Sequence, residues 1–69
     1  MEYRKALAII LREKGMSQAD LARRIGKSRS YVSQLMSGKV KEPALSVAFD
    51  IADALGVTLQ DFRNLMDKE

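Results

Sequence analysis

The sequence predicts an all-α domain of five short helices. Three observations carry that expectation. Glycines at 15, 26, 38 and 56 each close an apolar-periodic segment, where a helix needs a left-handed residue to end it. Three of those glycines are followed two positions later by Ser17, Ser28 or Thr58, residue types that cap a helix start. No strand-like alternation competes with the helical spacing. The helices are expected over roughly 2–14, 18–25, 28–36, 44–55 and 59–67, in one domain spanning residues 1–69.

Each element follows from its own residues. The first helix puts Tyr3, Leu7, Ile10 and Leu11 on one face. The second opens at Ser17, which with Asp20 is spaced like a capping box with Asp for the usual Glu. Its Leu21 and Ile25 face inward, and Ala22 is small where the next helix must approach. Gly26 makes the turn, and Ser28 caps the third helix. Pro43 lies in a short polar connection before the fourth helix. That helix offers Leu45, Ala48, Ile51, Ala52 and Leu55 to the core at helical spacing. Thr58 with Asp61 repeats the capping spacing for the fifth helix, which offers Leu59, Phe62, Leu65 and Met66.

Composition excludes several kinds of chemistry. The chain has no His and no Cys, so no zinc site of the usual kinds, no Cys nucleophile and no His general base can form. No lysine sits in an apolar setting that would lower its pKa and activate a serine. An enzyme is not expected, and neither a cofactor nor a metal is implied. The longest apolar run, Ala6 to Leu11, is far short of the roughly 20 residues of a membrane span. Nothing at the N-terminus resembles a signal peptide. These features predict a cytoplasmic protein with no membrane partner.

Charge is unevenly distributed. The net charge is +3, weak evidence alone. Residues 23–41, however, hold six cations (Arg23, Arg24, Lys27, Arg29, Lys39, Lys41) and no acid, whereas residues 42–69 hold six acids and two cations. One side of the molecule is therefore electropositive. On a helical wheel, Arg29, Ser30, Ser33, Gln34 and Ser37 fall in one arc of roughly 140°, with Tyr31, Val32, Leu35 and Met36 opposite. The polar arc carries no acid to repel phosphate. Arginine can grip guanine with two hydrogen bonds and glutamine can do so with adenine, while the small hydroxyls let the helix approach a groove floor. A solvated face is the bland alternative; its coincidence with the basic block favours DNA. Gln18, at the start of the second helix, lies where backbone N–H groups favour a phosphate, or it merely supports the cap.

Taken together, Gln18-Ala-Asp-Leu-Ala, Ile25-Gly26, Val32-Ser-Gln-Leu35, Gly38-Lys39, Pro43 and Ile51-Ala52-Asp-Ala-Leu-Gly-Val57 resemble the lambda-repressor-like helix-turn-helix family, of the Xre or Cro/repressor type. The resemblance covers about Tyr3 to Met66, with the helix-turn-helix at about 18–37. It implies a five-helix domain that binds double-stranded operator DNA, usually as a homodimer. By position, Ser28, Arg29, Ser30, Ser33 and Gln34 would face bases or the nearby backbone. Gln18, Ser37, Lys39 and Lys41 would meet phosphates. Departures from the family pattern are Ser37 where Asn is frequent, Glu42 where Arg is frequent, and Leu11 with Met36 where an ion pair often stands. An apolar Leu11–Met36 contact is expected to replace that pair. Phe62, Leu65 and Met66 are either the dimer surface or the closing residues of the monomer core. The leading expectation is a repressor acting on a palindromic operator. The alternatives are an antitoxin that binds a toxin and autoregulates its operon, and a protein-interaction module that reuses the fold.

Overall fold

The computed structural model describes residues 1–68. It contains α1 (Tyr3–Lys14), α2 (Gln18–Ile25), α3 (Arg29–Ser37), α4 (Leu45–Leu55) and α5 (Leu59–Met66), with no strand among the described residues. Each boundary lies within a residue or so of its expected place, because the local signals operate. Ser17 and Thr58 close true capping boxes: each side chain accepts from the N–H of Asp20 or Asp61, whose carboxylate accepts the N–H of the capping residue. Ser28 caps α3 by accepting from the Tyr31 N–H at 3.1 Å. All four glycines end their helices in the left-handed conformation. α4 alone among α2–α5 starts without a side-chain cap, at Ala44.

One core joins all five helices. Leu7, Leu21, Val32, Leu35 and Ile51 are its largest fully buried side chains. α2 packs on α3 and α4, and α1 packs on α3 and α5. Ala22 is buried where α2 meets its neighbours, as a small residue there allows. Leu11 is buried, and Met36 is half-buried against the same apolar cluster.

One expectation is corrected, and for Phe62 one of two alternatives is taken. Leu45 does not enter the core: it is 67% exposed, and Val47 takes the inward place above Ile51 and Leu55. Phe62 is not available as a dimer surface. It is 2% exposed and stacks on the Tyr3 ring, with centroids 4.9 Å apart and planes 8° from parallel, an arrangement that joins α5 to α1. Leu65 and Met66 are half-buried against the same cluster. Phe62 closes the monomer core, while Leu65 and Met66 keep part of their surface in solvent.

Candidate nucleic-acid interface

The outward face of α3 is set by its inward one. Val32 and Leu35 are fully buried and Tyr31 and Met36 are half-buried, which fixes the helix's rotation. Arg29, Ser30, Ser33 and Ser37 consequently stand in solvent, and Gln34 is half-buried beside them. Ser28 is exposed at the start of this face. Its hydroxyl oxygen is engaged as the cap, leaving the hydroxyl proton free to donate outward.

The flanks carry the charge. Gln18 is exposed as the first residue of α2, where the helix's unpaired N–H groups and dipole favour an anion. Lys39 and Lys41 are exposed in the turn after α3. Among the described residues, Lys27, Arg29, Lys39 and Lys41 have no acidic partner, whereas Arg23 pairs with Asp20. A hollow of about 450 Å³ between α2 and α3 is bordered by Arg23, Lys27 and Arg29. Lys27 also places its ammonium 5.6 Å from the centroid of the Tyr31 ring, a cation–π contact that holds it beside α3.

Ser37 is engaged within its own turn. Its hydroxyl donates to the Gln34 carbonyl at 3.2 Å and accepts from the Lys39 N–H at 3.4 Å. A hydroxyl has one proton, so in the free protein Ser37 shapes the turn that carries Lys39 and has no donor left for phosphate.

Two cations border this surface that the local reading left unassigned. Lys27 sits in the turn between α2 and α3, and its position follows from Tyr31. Arg4 comes from α1: its side chain lies against Gly38, at the end of α3. It shares a hollow with Ser37, Lys41, Glu2 and Glu42 and pairs with Glu2 at 3.4 Å. No local signal marks Arg4, because the turn it covers belongs to a different helix.

Among the described residues, two side chains have displaced acidities. Asp20 is held below the ordinary carboxylate value by the Ser17 hydroxyl, then by the Ser17 N–H and Arg23. The Tyr3 hydroxyl is pushed up, first by burial and then by the charges of Tyr31 and Glu42. Neither lies on the α3 face. No group of three His, Cys, Asp or Glu side chains among the described residues could hold a metal ion. Among the described residues, no helix is long and apolar enough to cross a membrane.

Comparison with known proteins agrees with this geometry. Residues 7–62 match the family model described as helix-turn-helix. Repressor protein C of Rhizobium phage 16-3 is 38% identical over 61 residues, covering 87% of this chain but 22% of the phage protein. Uncharacterized HTH-type transcriptional regulators of Sinorhizobium fredii and Methanocaldococcus jannaschii are 36% and 37% identical. Those matches cover 84% and 78% of this chain, and 79% and 80% of the two regulators. The chain thus spans about a fifth of the phage protein and about four-fifths of the other two. With five helices, an exposed acid-free α3 face and a family match over most of its length, the chain belongs to the lambda-repressor-like helix-turn-helix family of DNA-binding transcription regulators.

Proposed function

We propose that this chain is a single DNA-binding domain that recognises a specific palindromic operator as a homodimer in the cytoplasm, and that it represses transcription there. The observation that carries the reading is the outward face of α3: Arg29, Ser30 and Ser33 in solvent, Gln34 beside them, and no acid among them. Arg29 and Gln34 read base edges, with Ser28, Ser30 and Ser33 allowing close approach and adding hydrogen bonds. Gln18, Lys39 and Lys41 fix the register on phosphates. Repression is supported by the similarity to the phage repressor protein C.

Selection of bound duplexes from a random pool tests the whole reading. A two-fold symmetric sequence should emerge, with half-sites one helical turn apart. Two variants then separate the roles. Arg29→Ala should lose preference at one base position per half-site, a factor of about 5 to 150. Lys39→Ala should weaken all sequences about equally and reduce the salt slope by roughly one. Failure of any duplex to bind at low salt would refute the reading. Unchanged base preference in Arg29→Ala would refute the assignment of Arg29 to base readout.

A further inference from the structure

Lys27 is held at both ends. Its backbone N–H donates to the Ala22 carbonyl at 3.0 Å, in the contact that closes α2 behind Gly26. Its ammonium stands 5.6 Å from the centroid of the Tyr31 ring. Tyr31 is half-buried against the core, so the ring is fixed in turn. An exposed lysine ordinarily keeps most of its rotamer freedom. This one is confined beside α3, although no acid among the described residues pairs with it.

The space that confines it is the hollow between α2 and α3. Ala19 and Ala22 line that hollow, and Arg23, Lys27 and Arg29 border it. Cations that converge on one hollow repel one another, and an anion between them reverses the sign. Arg23 is already engaged by Asp20, and Arg29 belongs to the outward face of α3. Lys27 is the cation left for an anion, and the alanines leave room for its close approach. Position identifies that anion. The hollow opens between Arg29 and the start of α2, where Ala19 follows Gln18. On the operator reading above, Arg29 meets a base and Gln18 a phosphate. The anion that reaches the space between them is a phosphate of the bound strand.

We propose that Lys27 is a further phosphate contact of this domain, made in the hollow between α2 and α3, and that Tyr31 is the positioning residue that aims it. The proposal rests on the operator reading above. A lysine held in place before DNA arrives loses less freedom on contact. The Tyr31 ring does the holding through its face, with no need of its hydroxyl.

The test uses a duplex with a single half-site of the selected operator and four variants: Lys27→Gln, Tyr31→Leu, Tyr31→Phe, and Lys27→Gln combined with Tyr31→Leu. Each phosphate neutralised contributes about 0.9 to the slope of log affinity against log salt. Lys27→Gln should lower that slope by about 0.9 and reduce affinity at 0.1 M salt about eightfold, on the half-site and on an unrelated duplex alike. Tyr31→Leu keeps an apolar side chain and should weaken binding about two- to fivefold, the range of an exposed cation–π contact. Tyr31→Phe should bind as the parent does. In the Lys27→Gln background, Tyr31→Leu should weaken binding no further. Replacing single phosphates by uncharged methylphosphonates should find one linkage that the parent senses and Lys27→Gln ignores. Circular dichroism melts accompany each variant. A lower Tm with an unaltered salt slope in Lys27→Gln would show that the contact only stiffens the turn, and overturns the proposal. A Tyr31→Leu loss that persists without Lys27 overturns the positioning role. A parent that binds no duplex refutes the operator reading and this contact with it. A parent that binds while Lys27→Gln binds equally well refutes this contact alone.

Discussion

Replacing Gly38 by alanine isolates the contact that α1 makes with the end of α3. Gly38 has φ of 85°, and Gly26 has φ of 70°. A side chain at either position pays for the left-handed backbone, roughly 1–2 kcal/mol, partly offset by the lower entropy of the unfolded alanine chain. Around Gly26 an added Cβ meets nothing within 4 Å. At Gly38 it would lie 3.2 Å from Arg4 Nε and 3.3 Å from Arg4 Cδ. The arginine must shift by a few tenths of an ångström. Its half-exposed pair with Glu2 belongs to a class that contributes between about 0 and 1 kcal/mol. Gly38→Ala should therefore cost about 0.5 kcal/mol more than Gly26→Ala. For a domain of this size that difference lowers Tm by an additional 2–4 °C or so. Thermal unfolding followed by circular dichroism reads it. In the Arg4→Ala background the two glycine variants should become equivalent, since the obstructing atoms are gone. Equal losses for the two single variants would show that Arg4 does not press on the turn. A gap that persists without Arg4 would assign it to another cause.

Three further outcomes are expected. The Tyr3 hydroxyl is buried without a hydrogen-bond partner, so Tyr3→Phe should stabilise the fold by about 1 kcal/mol. Its pKa is raised, so as pH rises beyond its ordinary value of 10.0 the unfolded chain ionises first and the parent loses stability that Tyr3→Phe keeps; a Tyr3→Phe protein as alkali-sensitive as the parent would contradict this. Asp20 has a depressed pKa, so its contribution is present above its ordinary value of 3.8 and is lost as pH falls below it. Asp20→Asn should flatten that part of the acid unfolding curve, and an unchanged curve would remove Asp20 from the account. Ser28→Asp should preserve the α3 cap, whereas Ser28→Ala should cost about 1 kcal/mol. The aspartate should nevertheless reduce duplex binding at least tenfold, by setting an anion against phosphate; full binding would place Ser28 away from the DNA.

The helices were legible because their signals are local. Ser17 finds Asp20, Thr58 finds Asp61, and each glycine needs only its own turn. The α3 face was legible for the same reason: one turn of wheel geometry separates Val32 and Leu35 from Arg29 and Ser33. α4 is different. Leu45, Val47, Ala48, Phe49, Ile51, Ala52, Ala54 and Leu55 surround the helix, so more than one stripe satisfies helical spacing. Packing against α2, α1 and α5 chooses Val47, Ile51 and Leu55, and those helices lie elsewhere in the sequence. Phe62 and Arg4 were opaque for a related reason. Their partners, Tyr3 and Gly38, sit at the far side of the chain, and no short-range rule joins such residues.

The uncapped start of α4 has a thermodynamic consequence. With Ala44 in place of a capping side chain, the first-turn amides of this helix have no side-chain acceptor to restrain fraying. Leu45 is anchored on that turn. Amide hydrogen exchange in this turn should therefore outpace that in the capped first turn of α5, and a capping side chain at residue 44 should narrow the gap.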